Sequence, residues 1–295
     1  MGATIIDGKV IAKELRAESR DHAQRLKEKG IQPGLAVIIV GDNQASKIYV
    51  RNKVRACNEA SIHSEVYEFP SNTDQDEVLL CIQKLNINSR IHGILVQLPL
   101  PDHFEEQKII SSVGVEKDVD GFHLNNIGAL VTGCAAYPPC TPYGVMKMLE
   151  KNNIKIEGQH AVVVGRSNIV GKPMAIMLLE KGATVTICTS KTRNLVGHTR
   201  NADILVVATG RPQMITAEMV RAGATVIDVG INRMSDGKLV GDVHFGTVRE
   251  KAGYITPVPG GVGPMTIAML LCNTIEAARR IQTEGVLKSY MGNSM

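Results

Sequence analysis

The chain has 295 residues, of which 44% are hydrophobic and 21% charged, fractions typical of a globular protein with one large or two medium domains. Its net charge of +4 is weak and scattered, Trp is absent and there are only four Phe, so nucleic acid is not expected as a partner. No apolar run is long enough to cross a membrane, and we therefore expect a cytoplasmic protein without membrane contact.

The first 130 residues alternate between helical and strand-like patterns. Apolar residues at helical spacing and β-branched apolar runs bounded by glycine distinguish the two. Helices are predicted over 11–29, 46–60 and 74–85, and strands over 35–40, 65–69 and 93–97.

A stretch rich in Pro, Gly and Cys, 133–142, is predicted to be a linker, and the alternation restarts after it. The final dozen residues carry no strong pattern, and we expect them to be loosely held. Between this linker and the final dozen residues, strands are predicted over 161–164, 183–188, 204–207 and 225–229, and helices over 169–180 and 266–282.

Strands that alternate with helices predict parallel sheets covered by helices. We therefore expect two α/β domains with a cleft between them, the second a Rossmann-like doubly wound parallel sheet. The first domain would cover 1–139 and the second 140–269, with a C-terminal helix at about 270–290 packing back on the first. Ligands bind such sheets at the carboxyl ends of the strands, where the loops 208–210 and 230–232 fall.

The segment 161–171 predicts a strand, a tight turn and the start of a helix. Small residues at Gly165 and Ser167 would let the backbone approach a phosphate at the helix N-terminus, and Gly171 suits close packing of helix on strand. The spacing is G-x-S-x-x-x-G instead of G-x-G-x-x-G, so a plain strand–turn–helix remains an alternative.

The end of the next predicted strand bears on which dinucleotide would bind. A carboxylate there would accept bonds from the ribose of NAD, but none occurs. Ser190, Lys191 and Arg193, with Arg166 from the preceding turn, suit a 2′-phosphate, so NADP is favoured over NAD. The alternative is that Lys191 and Arg193 are ordinary solvated loop charges.

The predicted helix over 46–60 places Tyr49 and Lys53 on one face, next to the apolar positions Val50, Val54 and Cys57. A lysine partly buried there would have a lowered pKa, which suits a general base near neutral pH. The alternative is an amphipathic helix with a surface lysine, and spacing alone favours that alternative.

Three other segments carry polar or conformationally restricted residues at element ends. Gln97 closes a buried strand before a proline-rich turn, a common place for a functional side chain. Asp118 and Asp120 lie in a turn before a helix, and one of them could serve only as its cap. The loop 256–266, dense in Gly and Pro, could approach a ligand through its backbone or be a plain connection.

The cysteines and histidines give no sign of a metal site or a disulfide framework. The six cysteines are widely spaced with no C-x-x-C pair, and the eight histidines form no H-x-x-x-H pair. We expect reduced core cysteines and no bound metal.

Five motifs in this order resemble the bifunctional methylenetetrahydrofolate dehydrogenase/cyclohydrolase (FolD) family over nearly the whole chain. They are Ser46-x-x-Tyr49-Val50-x-x-Lys53, Val96-Gln97-Leu98-Pro99-Leu100-Pro101, Lys117-Asp118-Val119-Asp120-Gly121, Gly165-Arg166-Ser167-x-Ile169-Val170-Gly171-x-Pro173, and the Pro-Gly-Gly-Val-Gly-Pro-Met-Thr loop that ends at Thr266.

The resemblance implies two consecutive reactions in one-carbon folate metabolism, which supplies purine biosynthesis. A hydride would pass from 5,10-methylenetetrahydrofolate to NADP, and water would then open the 5,10-methenyl product to 10-formyltetrahydrofolate. The resemblance to this family also implies a homodimer. A monofunctional dehydrogenase and a catalytically silent nucleotide-binding protein are the competing hypotheses. The presence of Lys53 with Gln97 and Asp120 argues against the first, and the presence of Lys53 and of the Gly165 turn argues against the second.

The resemblance also implies roles for individual residues. Lys53 would catalyse the hydrolysis, Gln97 would support it, Tyr49 would stack on the folate and Asp120 would bind the pterin edge. Further substrate contacts would come from Val96, Leu98, Pro259, Gly260 and Gly263, and cofactor contacts from Gly165, Arg166, Ser167, Ser190 and Ile231.

One position departs from the pattern of the family. Many relatives that use NADP have His before the serine at the end of the second strand of this domain, where this chain has Thr189. Arg166 and Ser190 are retained, so the departure bears on how strongly NADP is preferred.

Overall fold

A computed structural model describes the backbone of residues 2–292 and the side chains of residues 2–281. The expectation of a loosely held C-terminus falls on residues whose side chains, and for 293–295 whose backbone, lie outside this range. Among the described residues, no helix is both long and apolar enough to cross a membrane.

The first half of the chain is built from short parallel strands and the helices between them. In chain order its elements are β1 (Thr4–Ile5), α1 (Gly8–Glu28), β2 (Gly34–Val40), α2 (Gln44–Glu59), β3 (His63–Phe69), α3 (Gln75–Ile87), β4 (Gly93–Val96), α4 (Glu106–Ser112) and α5 (Leu124–Val131).

The second half repeats the alternation with a larger number of strands. Its elements are α6 (Cys140–Lys151), β5 (His160–Val164), α7 (Gly171–Glu180), β6 (Thr184–Cys188), α8 (Leu195–Thr199), β7 (Ile204–Val207), β8 (Thr225–Asp228), β9 (Asn232–Arg233), β10 (Leu239–Val240), α9 (Phe245–Arg249), β11 (Tyr254–Ile255) and α10 (Val262–Gly292).

These elements form two compact units, named here by their sheets. Among the described residues, the six-strand unit contains 2–13, 130–134 and 141–266, and the three-strand unit contains 14–129, 135–140 and 267–292. Both units combine a parallel sheet with helices, which confirms the predicted α/β class.

The three-strand sheet has the order β3-β2-β4, with β2 parallel to both neighbours. All seven residues of β2 are buried, as expected for the central strand of a parallel sheet covered by helices. The chain runs from β2 to β3 on one side and returns to β4 on the other. This reversal makes the carboxyl end of β2 the preferred ligand position in the sheet.

The six-strand sheet has the order β1-β11-β8-β7-β5-β6, and every neighbouring pair is parallel. From β5 the chain passes to β6 on one side and to β7 on the other. The strand order therefore reverses at the carboxyl end of β5, where dinucleotides bind in sheets of this kind.

The elements predicted from hydrophobic periodicity are all present, with ends shifted by a few residues. The predicted linker 133–142 is wrong at its end, because α6 begins at Cys140. The helix predicted over 266–282 is longer, since α10 covers 31 residues. No sequence pattern indicates the two-residue strands β1, β9, β10 and β11, which are too short to show a period.

Candidate active site

Helix α2 places a lysine on its buried face. The helix is capped by Asn43, whose side-chain oxygen accepts a hydrogen bond from the backbone N–H of Ser46 at 3.0 Å. The residues that α2 buries follow helical spacing, and Lys53 is among them with 7% of its surface exposed. Lys53 is therefore not the surface lysine that spacing alone favoured.

The Lys53 amine meets a side chain from the end of β4. Its Nζ donates to Oε1 of Gln97 at 3.0 Å, and Nε2 of Gln97 donates to the carbonyl of Leu98 at 2.7 Å. The second bond fixes the orientation of the amide, so that its oxygen faces the lysine. The backbone N–H of Gln97 donates to Ile38 of β2, which extends the sheet to this residue.

The two aspartates of the 117–121 motif have different roles. Asp118 accepts hydrogen bonds from the backbone N–H groups of Phe122 and His123, at 3.2 and 2.8 Å, and from the amide of Asn126 at 2.7 Å. It is thus the residue that holds the turn before α5. The carboxylate of Asp120 instead interacts electrostatically with Lys53.

Burial shifts the ionisation of this cluster towards its neutral forms. It lowers the pKa of Lys53, an effect that the negative charge of Asp120 partly opposes. It raises the pKa of Asp120, which Lys53 partly opposes in turn. A buried amine with a lowered pKa can accept a proton at a pH where an exposed lysine cannot.

The other residues of the three-strand unit that are predicted to bind the substrate lie on α2 or directly beside Gln97 in the sequence. Tyr49 is half-buried one turn before Lys53 on α2, and burial raises the pKa of its phenol. Val96 is the buried last residue of β4, and Leu98 follows it half-buried, joined to Pro99 by a cis peptide bond.

Cys140 and Asn273 also belong to this cluster, although the sequence had predicted only core packing for the cysteine and nothing for the asparagine. The thiol of Cys140 is fully buried next to Asp120. The amide of Asn273, on α10, donates to the carbonyls of Val119 and Pro138 at 2.8 and 3.0 Å. These two bonds fix the backbone next to Asp120 and close to Cys140. These contacts join segments far apart in sequence, which no local pattern reveals.

In the six-strand unit, the turn after β5 is too tight for side chains. Gly165 has φ +134°, and a Cβ there would collide with the carbonyl of Ala208. A Cβ on Gly171, the first residue of α7, would collide with the carbonyl of Gly165. The hydroxyl of Ser167 accepts hydrogen bonds from the backbone N–H groups of Val170 and Gly171, at 3.2 and 3.3 Å.

The residues predicted to contact a dinucleotide are accessible at this edge of the sheet. Ser167 and Arg166 are exposed in the turn after β5, Ser190 is exposed after β6, and Ile231 is 44% exposed after β8. The exposed cations Lys191 and Arg193 follow Ser190. A compact glycine turn with exposed hydroxyls and cations fits the phosphates of a dinucleotide.

The Gly/Pro loop before α10 is also part of the six-strand unit. Val258 and Pro259 are joined by a cis peptide bond, and Pro259 is exposed, while Gly263 is half-buried as the second residue of α10. Gly260 is buried with φ +108° and accepts a hydrogen bond from the backbone N–H of Lys9 at 3.1 Å. This hydrogen bond ties the loop to the first turn of α1.

The described side chains contain no cluster of three or more His, Cys, Asp or Glu that could hold a metal ion. No disulfide joins the six cysteines, all of which lie in the described part of the chain.

Two domain models of one protein family together match most of the chain. The model described as "Tetrahydrofolate dehydrogenase/cyclohydrolase, catalytic domain" matches residues 6–120, and that described as "Tetrahydrofolate dehydrogenase/cyclohydrolase, NAD(P)-binding domain" matches residues 139–282.

Individual relatives are similar over nearly their full length. The chain is 72% identical to the bifunctional protein FolD of Nitrosospira multiformis over 280 residues, which is 95% of this chain and 97% of that protein. It resembles the crystal structure of the FolD enzyme of Campylobacter jejuni, with a TM-score of 0.93, 52% identity and coverage of 94% and 99%. The Trypanosoma brucei FolD structure, solved with NADP cofactor and inhibitor, gives a TM-score of 0.92, 38% identity and coverage of 95% and 98%.

The fold and these sites define a two-unit α/β enzyme that combines a dinucleotide-type sheet with a buried lysine. Within that class, the chain belongs to the tetrahydrofolate dehydrogenase/cyclohydrolase family.

Proposed function

We propose that this chain oxidises 5,10-methylenetetrahydrofolate with NADP and then hydrolyses the 5,10-methenyl product to 10-formyltetrahydrofolate. The observation that carries the proposal is the buried Lys53 amine, held at 3.0 Å by Gln97 in a chain that matches both domain models of the family. The two activities require different residues.

Lys53 is the catalytic residue of the hydrolytic step. The methenyl substrate is a delocalised cation, so a charged ammonium beside it is disfavoured and a neutral amine is not. Burial already lowers the pKa of Lys53, and a nearby cation lowers it further. The neutral amine then accepts a proton from the water that attacks the methenyl carbon, while the amide oxygen of Gln97 holds Nζ in place.

Asp120 and Tyr49 bind the substrate. The carboxylate of Asp120 accepts hydrogen bonds from the N–H groups on the edge of the pterin, and the half-buried ring of Tyr49 stacks on the folate. The further contacts with the substrate are made by Val96, Leu98, Pro259, Gly260 and Gly263.

The dehydrogenase step uses the carboxyl edge of the six-strand sheet. Bound NADP would accept the hydride from the methylene carbon. Gly165 and Ser167 admit its pyrophosphate at the start of α7, and Arg166 and Ser190 bind its 2′-phosphate. Ile231 makes an apolar contact with the cofactor.

The domain limits, assembly and location are part of the same proposal. A folate-binding domain covers 1–139, apart from residues 1–13 and 130–134, which belong to the six-strand unit, and an NADP-binding domain covers 140–269. The C-terminal helix at about 270–290 packs back on the first domain, a view that the bond from Asn273 to Val119 supports. The protein acts as a cytoplasmic homodimer in the one-carbon metabolism that serves purine biosynthesis.

A paired assay tests the proposal. Purified protein should reduce NADP when given methylenetetrahydrofolate, and should separately bleach the absorbance of methenyltetrahydrofolate. Lys53→Met should lose the hydrolysis while it still binds NADP and melts cooperatively. Hydrolysis at the wild-type rate in that variant would refute the role of Lys53, and reduction of neither NADP nor NAD by the wild type would refute the dehydrogenase.

A further inference from the structure

A fully buried carboxylate joins two loops of the six-strand unit. The side chain of Asp242 has none of its surface exposed. Its Oδ2 accepts hydrogen bonds from the backbone N–H groups of Thr209 and Gly210, at 2.6 and 2.9 Å, and from the Thr209 hydroxyl at 3.0 Å. Its Oδ1 accepts from the side-chain amide of Asn232 at 2.8 Å. Four donors from the loops after β7 and β8 thus converge on one side chain.

A second buried carboxylate holds the first. Asp228, the last residue of β8, is 3% exposed. Its Oδ1 accepts from the backbone N–H groups of Gly230 and Asp242, at 3.0 and 2.9 Å, and its Oδ2 accepts from that of Val243 at 2.9 Å. The backbone position of Asp242 is therefore fixed by Asp228.

The two carboxylates bracket Ile231, the residue expected to contact the dinucleotide. Gly230, just before it, is held by Asp228, and Asn232, just after it, is held by Asp242. Ile231 itself is 44% exposed. An apolar side chain is thus held out at the carboxyl edge of the sheet by a backbone that is fixed on both sides.

Two glycines make the close approach of these carboxylates possible. A Cβ on Gly230 would collide with the carboxylate of Asp242, and a Cβ on Gly241 would collide with that of Asp228. Both positions are buried. The backbone is therefore shaped around the carboxylates, and even a methyl group at either glycine would displace them.

The partners of the two carboxylates indicate that the network fixes geometry more than it adds stability. Neutral N–H and O–H groups satisfy both acids, and removing two charges from water is costly even when they are hydrogen-bonded. Well-packed apolar side chains often replace buried charges without loss of stability. A carboxylate can accept hydrogen bonds from two ligand-facing loops at once and so fix their relative position, which apolar packing cannot do.

We propose that Asp242, fixed in turn by Asp228, is a positioning residue that sets the 208–210 and 230–232 loops for binding of the dinucleotide. The inference rests on the proposed function, because it requires that the dinucleotide bind at this edge. Neither carboxylate need touch the cofactor. Their effect is exerted through Thr209, Gly210 and Ile231.

The test uses two variants and a matched control. Asp242→Asn keeps the shape but has one acceptor oxygen in place of two, and Asn232→Ala releases only the 230–232 loop. Asp203→Asn is the control, since Asp203 lies at the opposite end of β7, where it accepts from the backbone N–H of His160 at 2.9 Å. NADP affinity, dehydrogenase kinetics, methenyltetrahydrofolate hydrolysis and melting temperature are measured for all three.

We expect Asp242→Asn to weaken NADP binding about tenfold, and Asn232→Ala to weaken it about threefold, by loss of preorganisation. The KM for NADP should rise, turnover at saturating NADP should stay near that of the wild type, and cofactor-free hydrolysis should be unchanged. Asp203→Asn should lower the melting temperature without a change in NADP affinity.

Two results would overturn the inference, and they differ from each other. If Asp242→Asn and Asn232→Ala bind NADP as the wild type does and lose only thermal stability, the network is merely structural while the proposed function stands. If the wild type binds no dinucleotide at all, the proposed function fails first, and the positioning role fails with it.

Discussion

Replacing Gln97 by Glu tests whether the charge state of Lys53 controls hydrolysis. The change is nearly isosteric, and it places a carboxylate oxygen where the amide oxygen now lies, 3.0 Å from the lysine Nζ. It also turns the donor that faces the carbonyl of Leu98 into an acceptor. The main consequence is a negative charge beside an amine whose pKa burial has lowered.

The expected rise in the pKa of Lys53 follows from the distance between its Nζ and the new carboxylate oxygen. Two unit charges 3.0 Å apart attract by about 5.5 kcal/mol at an effective dielectric constant of about 20. Desolvation of the new carboxylate offsets several kcal/mol of that attraction. A rise of roughly 1–3 units in the pKa of Lys53 remains, which is the usual effect of an opposite charge at such a distance. Each unit reduces the neutral amine about tenfold at a pH below the pKa, so hydrolysis on the acid limb of its pH profile should fall about 10- to 1000-fold.

The assay is the hydrolysis of methenyltetrahydrofolate followed over a range of neutral to alkaline pH. The acid limb of the profile should move to higher pH in Gln97→Glu, with activity partly regained in alkali. Gln97→Met should lose activity without such a shift, because it brings no charge. Gln32→Glu is the matched control, since Gln32 donates to the carbonyl of Ser61 at 2.7 Å in the same unit, as Gln97 does to that of Leu98. An unmoved acid limb in Gln97→Glu would refute the reasoning, even if turnover fell.

Further predictions concern the other charged and conformationally restricted positions. Asp120→Asn removes a charge that raises the pKa of Lys53, so the acid limb of hydrolysis should move to lower pH, opposite to Gln97→Glu, while KM for the folate rises. Arg166→Ala should raise KM for NADP by about tenfold and leave that for NAD within about twofold, as measured by initial rates, because only NADP carries the 2′-phosphate. Gly165→Ala should abolish NADP binding and lower the free energy of unfolding by about 1–3 kcal/mol in urea titrations, since φ there is +134°. Burial raises the pKa of Asp228 to about 7, so the folded state keeps this proton up to a higher pH than the unfolded state does. The free energy of unfolding should therefore fall as the pH rises from about 4 to about 7. Asp228→Asn should lack this fall of up to about 1.4 kcal/mol per pH unit, seen as the difference between the two unfolding curves.

Much of the fold could be predicted because its main elements are long enough to show a period. Strand β2 is an unbroken apolar run of seven residues, and α2 repeats its buried positions at helical spacing. The two-residue strands β1 and β11 could not be predicted, because each depends on a neighbour far away in sequence. Thr4 pairs with Tyr254, and that register is decided by tertiary packing.

The candidate site was predictable only in part, for a similar reason. The motifs contained Lys53, Gln97 and Asp120, but the spacing of α2 favoured a surface lysine, and nothing local distinguished Asp118 from Asp120. The distinction depends on which carboxylate finds backbone donors, and Asp118 takes those of Phe122 and His123. Asp120 is left to interact with Lys53.

Burial has opposite consequences for the side chains of Lys53 and Asp242. Both side chains are removed from water, with 7% and 0% of their surfaces exposed. An ammonium has three donors, and among the described residues Lys53 makes one hydrogen bond, so its charged form is disfavoured and its amine is available for proton transfer. Asp242 has four donors on two oxygens, which leave its carboxylate satisfied and immobile. We therefore expect mutations near Lys53 to change the pH dependence of hydrolysis and mutations near Asp242 to change the affinity for the dinucleotide.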